Sequence, residues 1–301
     1  MKPLVTVICL SYNHARFIAE AIDALKAQTY EYLQVIIIDD GSTDGSDQEI
    51  EKAISGTDYT FVRHAKNVGY TQSFNEGLAL AKGEFIVDYA LDDVMLPHFL
   101  ERSLDRFEGE DDKVGVVFSN ADYINEKSDS IGNHKEILIA KKMVKFIPEG
   151  DLFYAILRRY FICTPTMVIR KAVFDRMGGY DENLAYEDFD FWVRSTRYWH
   201  YGYIDEVLFQ KRKLTNSMSS RRYQHQSNEQ MQSTFQVCQK AFHLCKSKEE
   251  LRALGERLNY EYRQCMRFGN RLLAHSYEEL MRMTGTRKSL GSRWVAMQQV
   301  F

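Results

Sequence analysis

The sequence predicts an α/β fold: a mostly parallel, twisted sheet with flanking helices, followed by a C-terminal helical region. Three observations predict it. Apolar, β-branched runs alternate with segments of helical periodicity through the first 120 residues, and the short connections imply right-handed crossovers. Four of the strand runs are followed by a cluster of polar or acidic residues, which places the clusters on one edge of one sheet. Beyond Arg221 the composition turns to Gln, Lys, Glu and Arg, with apolar residues at helical spacing.

The elements follow in order. Val5–Leu10 is a continuous run suited to a strand covered on both faces, and Ser11-Tyr12-Asn13-His14 breaks it. Phe17, Ile18, Ala21, Ile22 and Leu25 then recur at helical spacing. Val35–Ile38 is a second strand ending in Asp39-Asp40-Gly41, with Ser42, Thr43 or Asp44 to cap a helix over 48–54. Tyr59–Arg63 is a short third strand, Asn67-Val68-Gly69 a turn, and Phe74–Ala81 a helix. A strand over 85–87 leads to the carboxylate pair Asp92-Asp93, and Pro97 opens a helix reaching Phe107. Val114–Ser119 is the fifth strand. Two adjacent acids at a strand end repel each other unless a cation joins them; an acidic turn with a helix cap is the plain structural alternative.

Bulk properties narrow the classes. With 301 residues, 45% of them apolar, the chain can bury the core of one large or two modest domains. The net charge of −3 offers no basic surplus for nucleic acid. Cys9, Cys163, Cys238, Cys245 and Cys265 are odd in number and lack metal-ligand spacing, which suits a reducing, cytoplasmic setting. No charged leader precedes Leu4, and no apolar run nears the roughly 20 residues of a membrane span. The expectation is therefore a soluble protein, with peripheral contact at the inner membrane face left open.

Five motifs in order carry a resemblance. Val-Thr-Val-Ile-Cys-Leu-Ser-Tyr-Asn, Ile-Ile-Asp-Asp-Gly-Ser-Thr-Asp, Asn67-Val-Gly69 with Asn75-Glu-Gly77, Gly83-Glu-Phe-Ile and Leu-Asp-Asp-Val-Met-Leu-Pro resemble the family 2 glycosyltransferases over roughly residues 3–215. The resemblance implies a glycosyltransferase A type fold, with 1–120 binding a nucleotide sugar, 121–220 binding the acceptor and 221–301 forming the helical region. It implies an inverting, metal-dependent transferase using a nucleoside diphosphate sugar, with a UDP-sugar favoured. By the same resemblance, Asp40 hydrogen-bonds the base, Asp39 supports it, and Ser11 and Tyr12 line base and ribose. Asn67 and Asp92 join this donor-binding set, and Asp92 and Asp93 anchor Mn²⁺ or Mg²⁺. The alternatives are an Asx-type turn for the first acidic pair and a core position for Tyr12. Many relatives carry Asp-x-Asp-Asp where this chain has Ala90, which puts a ribose contact in doubt; Asp88 is displaced from that position, although two residues earlier it shares the strand face and leaves a partial rescue open.

The second half resembles the acceptor side. A polar turn over 122–130 lies between two hairpin strands, 149–157 reads as a helix, and a helix over 172–177 stops at Gly178-Gly179. Glu187 and Asp188 stand at a helix start with Phe189, Trp192 and Val193 inward, and a capping role is their structural alternative. The resemblance makes Asp188 the general base for the acceptor hydroxyl, with Glu187 as alternate. Asp190 is assigned to the solvent face or to an ion pair with Arg194. Thr164 and Thr166 are candidates to line the sugar pocket. Arg170 matches a family arginine or pairs at the surface, and Arg212 faces phosphate or joins a solvated basic cluster. Ile204–Phe209 is a closing strand, and Leu214 stands where relatives have histidine.

Helices are expected over about 224–246, 248–274 and 276–283, with Phe235, Cys238, Phe242 and Cys245 as core packing. The basic, apolar tail from Arg287 through Trp294 to Phe301 packs internally, touches an anionic membrane or meets a partner subunit, and an oligomer could form through these helices. The acceptor is a glycan, glycolipid or protein-linked hydroxyl, in the family's usual setting of bacterial surface glycan or glycolipid assembly. The competing reading is a catalytically silent nucleotide-sugar-binding module or scaffold, for which Ala90 and Leu214 speak.

Overall fold

Alternating strands and helices fill the first third of the chain, as the hydrophobic pattern requires. The computed structural model describes residues 2–214 and 229–287. The elements are β1 (Val5–Ser11), α1 (Ala15–Lys26), β2 (Leu33–Asp39), α2 (Ser46–Ala53), β3 (Thr60–Arg63), α3 (Tyr70–Leu80) and β4 (Phe85–Ala90). Next come β5 (Val94–Met95), α4 (Phe99–Phe107), β6 (Val114–Ile124), β7 (Ser130–Asn133), α5 (His134–Ala140) and α6 (Phe153–Arg158). A 3-10 turn at Thr164–Thr166 leads to β8 (Val168–Arg170), α7 (Lys171–Met177), α8 (Glu187–Ser195) and β9 (His200–Arg212). The helices α9 (Glu229–Leu244), α10 (Lys248–Arg267) and α11 (Arg271–Met283) close the described chain.

The strands form one sheet in the order β3-β2-β1-β4-β8-β6-β9-β5, with β7 beside β6. β1 to β4 pair in parallel, and β9 is parallel to β6. β8 enters between β4 and β6 antiparallel to both, so β1–β4, β6 and β9 still run in one direction. Several elements differ in extent from the sequence expectation, and two of them flank the acidic pair. The fourth strand continues to Ala90, because Tyr89 is fully buried and its hydroxyl donates to the Ala21 and Asp93 carbonyls. Pro97 does not open α4, which starts at Phe99; the intervening Val94–Met95 is held as a strand by β9.

The residues divide into two compact units. The first comprises Met1–Glu136, Ile162–Tyr180 and Trp199–Lys213; the second comprises Ile137–Phe161, Asp181–Tyr198 and Leu214–Phe301. Residues within 121–220 contribute to both units.

In the first unit, strand alternation sorts the side chains to two faces. Val5, Val7 and Cys9 of β1, Val35 and Ile37 of β2, and Phe85, Val87 and Tyr89 of β4 share a core with Ile18, Ile22 and Leu25 of α1 and Phe99 and Leu104 of α4. The intervening residues face α3, where a Cβ on Gly77 would come within 2.5 Å of Ile8 and 3.3 Å of Ile38. Phe74 of α3 completes that face with its ring 4.4 Å from Tyr180 and 5.3 Å from Phe174 of α7.

In the second unit, α10 starts with a capping box between Ser247 and Glu250. Arg257 of α10 is buried; its guanidinium lies 3.7 Å above the Tyr160 ring and its Nε donates to the Leu157 carbonyl at the end of α6. Phe235 packs its ring 4.9 Å from Tyr277, and Cys238 is fully buried. No helix among the described residues is long and apolar enough to cross a membrane. The calls on 215–228 and on the tail from 288 to 301 lie outside the described residues.

Candidate functional site

Because β1 to β4 are parallel, the loops that follow them emerge along one rim of the first unit. Hydrogen bonds tie these loops together. The Asp40 amide donates to the Ser11 carbonyl (2.8 Å), and the Leu91 amide to the Leu10 carbonyl (2.9 Å). Asn13, in the left-handed region at φ 59°, accepts from the Thr43 amide and donates its own amide to Ser42 Oγ, both at 2.9 Å. The His14 amide donates to Ser46 Oγ, and the Ala15 amide to Asp44 Oδ2. Gly41 (φ 71°) lets the second loop touch the third: a Cβ there would sit 2.4 Å from the Lys66 carbonyl carbon and 2.7 Å from the Asn67 nitrogen.

Asp40 is the hub. It is 5% exposed; its Oδ1 accepts from the Val68 amide (2.8 Å) and His64 Nδ1 (2.9 Å), and its Oδ2 from the Gly69 amide (2.9 Å). A carboxylate has about four acceptor positions, so one remains, on Oδ2. His64 also reaches Glu76 of α3, with Nε2 2.8 Å from Oε2. Burial alone would lower the proton affinity of His64; its hydrogen bonds to Asp40 and Glu76 outweigh that and raise it above the usual histidine value.

Asp39, 1% exposed, spends its carboxylate on the Ser42 amide and hydroxyl, so its geometry is that of the Asx-type turn, which holds the loop in shape. Asp44 makes the matching bond to the Ser46 amide, leaving Gly45 rather than a side chain at the N-cap of α2. Ser11 is buried and its Oγ has no hydrogen-bond partner among the described residues. Tyr12 is 46% exposed, which rules out the core position. Asn67 is exposed beside Gly41.

The fourth loop brings the acidic pair to the same rim. Two strand spacings, about 10 Å, separate it from the Asp39-Asp40 loop across β1. Asp92 is partly exposed and its Oδ1 lies 3.9 Å from His14 Nε2. Asp93 is buried, and its Oδ1 accepts the Arg212 amide at 2.7 Å. Burial and then the charge of Asp92 push the Asp93 carboxyl well above its ordinary pKa of 3.8. The charges of Lys211 and Arg212 only partly offset this, and the two carboxylates supply hard oxygen donors of the kind a divalent cation takes. No group of three or more His, Cys, Asp or Glu among the described residues could hold a metal, so diphosphate oxygens and water would have to complete the coordination.

Several sequence expectations are corrected here. Asp88 does not stand in for Ala90: Tyr70 donates to one of its oxygens (2.6 Å) and Tyr180 to the other (3.0 Å). Arg212 is neither solvated nor free for phosphate. It is 3% exposed, stacks 4.5 Å over Phe17, donates to the Asp92 and Asn125 carbonyls and to Ser128, and pairs with Glu20 at 2.6 Å. It therefore braces the backbone of the acidic loop. Arg212→Met is expected to cost about 3 kcal/mol, because it strands buried acceptors; urea unfolding would measure it. Thr166 is fully buried and bonded to Ser119 and Cys163, so it does not line a sugar pocket. Of the two alternatives for Arg170, the structure has the pairing: it meets Glu84 at 3.3 Å, while also lying over the Phe85 and Phe107 rings and donating to the Val114 carbonyl.

Glu187 and Asp188 belong to the second unit and occupy the first turn of α8, as the sequence pattern requires. Glu187 is buried and Asp188 is partly exposed. Asp190 is fully buried rather than on the solvent face: its carboxylate pairs with Arg194 (2.6 Å) and Lys240 (2.7 Å). Lys240 of α9 also holds Asp181 at 2.6 Å, and Ser233 accepts the Ala185 amide at 2.8 Å, so α9 secures the segment leading into α8.

Sequence reasoning missed His14, His64, Glu76 and Lys240 as parts of these networks. For His64 a signal existed: it directly follows a strand paired in register with β2, which places it opposite Asp40.

Comparison with known proteins places the chain among glycosyltransferases. A Haemophilus influenzae protein named as an uncharacterised glycosyltransferase is 30% identical over 233 residues, covering 75% of this chain and 70% of its own length. A Rickettsia typhi relative of the same description is 29% identical over 213 residues, 70% of this chain but 64% of its own length. In a Rickettsia felis relative, 28% identical, the match covers 34% of its length. The chain thus spans less than two thirds of these two Rickettsia proteins. Among solved structures, the Pyrobaculum calidifontis mannosyltransferase PcManGT, in complex with GDP-Man and Mn²⁺, has a TM-score of 0.65 at 17% identity, over 98% of this chain and 78% of that one. Residues 1–349 of S. aureus TarS, in complex with UDP-GlcNAc, give 0.66 at 18% identity, over 88% and 73%. The fold is accordingly the glycosyltransferase A type that the motifs implied. Residues 6–178, more than half the chain and all of the rim from Ser11 to Asp93, match the family described as Glycosyl transferase family 2. The chain belongs to that family.

Proposed function

We propose that this protein is an inverting, metal-dependent glycosyltransferase that moves a sugar from a nucleoside diphosphate sugar to an acceptor hydroxyl. The observation that carries the reading is the convergence on one rim of Asp40, with one acceptor position left, and the Asp92-Asp93 carboxylate pair about 10 Å away across β1. That span suits a base at one end and a diphosphate at the other. Asp40 takes the imide N–H of uracil, which favours a UDP-sugar, while the Ser11 hydroxyl and the exposed Tyr12 ring line base and ribose. Asn67 borders the same groove. Asp92 and Asp93 hold Mn²⁺ or Mg²⁺, which when bound neutralises charge on the leaving diphosphate.

Asp188 takes the proton from the acceptor hydroxyl, whose oxygen attacks the anomeric carbon opposite the diphosphate and inverts its configuration in one displacement. Its partial exposure in the first turn of α8 supports that role. The acceptor class, a glycan or glycolipid of surface assembly, rests on the family resemblance. Nucleotide release from UDP-glucose, UDP-GlcNAc and GDP-mannose, with Mn²⁺ or with EDTA, tests the reading. Metal-dependent release from at least one donor is expected. Tight nucleotide binding with no metal-dependent release from any of them would instead favour a silent binding module.

A further inference from the structure

His64 and Glu76 lie outside every role so far assigned, yet they form a continuous chain to the residue that reads the base. Nδ1 of His64 is 2.9 Å from Asp40 Oδ1 and Nε2 is 2.8 Å from Glu76 Oε2. Ionised carboxylates only accept hydrogen bonds, so a ring placed between two of them carries both protons. The His64 side chain is 12% exposed, whereas Glu76 is 45% exposed and links the chain to solvent. Among the described residues, the charged groups set against the ring are Asp40 at the end of β2 and Glu76 on α3, while neighbouring Arg63 turns to Asp47 and Glu51 of α2.

We infer that His64 is a positioning residue for nucleotide-base recognition: as an imidazolium tethered by Glu76, it holds Asp40 turned so that the last acceptor position on Oδ2 meets the base. The inference rests on the proposed role of Asp40 in binding the base. The two backbone amides and the imidazolium fix three of the four acceptor directions of Asp40. Loss of the ring proton would remove the one side-chain donor and leave two backbone amides alone to orient Asp40, which weakens its hold on the base. A histidine that merely packed would not need its outer nitrogen tied to a second acid.

The test is calorimetric titration of the full chain with UDP and Mg²⁺ between pH 6 and 9, for wild type and for Asp40→Asn, His64→Gln and Glu76→Gln. Glu76→Gln changes a half-exposed side chain, so folding is preserved in at least one variant. The expected result is UDP affinity lowered about tenfold by His64→Gln, equivalent to one charge-assisted hydrogen bond. Wild-type affinity should also fall as pH rises through the raised His64 range, a response absent from His64→Gln and moved to lower pH in Glu76→Gln. The pH response of His64→Gln carries the phosphate ionisation common to all four proteins. If wild type does not bind UDP, or Asp40→Asn binds it as wild type does, the base reading itself is overturned, and this inference with it. If Asp40→Asn loses UDP while His64→Gln and Glu76→Gln keep wild-type affinity and pH profile, the base reading stands and the role of His64 is overturned.

Discussion

Asp188→Asn is expected to lower kcat by about 10²- to 10⁴-fold, the usual contribution of a positioned general base, while donor affinity stays at the wild-type level. The first turn of α8 holds three acids, and their surroundings separate them. Glu187 is buried, and Asp190 is buried with its charge matched by Arg194 and Lys240. Of the three, Asp188 keeps partial exposure. Asp190→Asn should therefore act on stability, because it leaves two cations facing a neutral amide. Asp188→Asn should act on turnover with little change in melting temperature. Steady-state kinetics beside thermal melts of both variants would distinguish the roles. Equal losses of stability and activity in the two would mean that Asp188 is a helix-capping residue only.

Asp93→Asn is expected to reduce metal-dependent turnover by roughly 10³-fold, on the scale of removing one electrostatic contact to a leaving group, without lowering the stability of the metal-free protein. The reason is the state of the wild-type carboxyl. Burial, and then Asp92, raise its pKa above 3.8, so its ionised form is a cost to the fold near neutral pH. The sign follows from proton counting. Between the unfolded pKa and the raised folded one, the folded state holds more protons than the unfolded state. In EDTA, this group's contribution therefore makes wild-type stability fall as pH rises through that window. The amide variant lacks this component, and its side-chain carbonyl can still accept the Arg212 amide. Added Mn²⁺ should raise the melting temperature of wild type and not that of the variant. Denaturant titrations at several pH values, with EDTA and with Mn²⁺, give all three readings. A variant less stable than wild type in EDTA would show that the carboxylate serves the fold.

The sheet and the polar ends of β1 to β4 were legible because local pattern determines them. Four apolar strands separated by short amphipathic helices leave their trailing loops on one rim, wherever the rest of the chain goes. Tertiary partners decided what was not legible. Tyr89 is held in strand by hydroxyl bonds to residues 21 and 93, and the two-residue β5 exists only because β9 lies beside it. Asp88 looked free to serve the site, but a tyrosine 18 residues before it and another 92 residues after it take its oxygens. Arg212 read as one more charge in a basic run, yet its partners Glu20, Asp92 and Asn125 are all remote in sequence. The same holds for Asp190, whose second cation arrives on α9. Period and spacing report which face a residue occupies, not which distant group meets it there.

The convergence of the donor loops is tested most directly by a crystal structure of the full chain with UDP and Mn²⁺, the metal located by its anomalous signal. The expected result places the manganese within about 2.5 Å of a carboxylate oxygen of Asp92 or Asp93, with the uracil imide against Asp40 Oδ2. A metal bound elsewhere, or a nucleotide seated away from the rim formed by residues 11–14, 39–46, 67–69 and 91–93, would contradict the account.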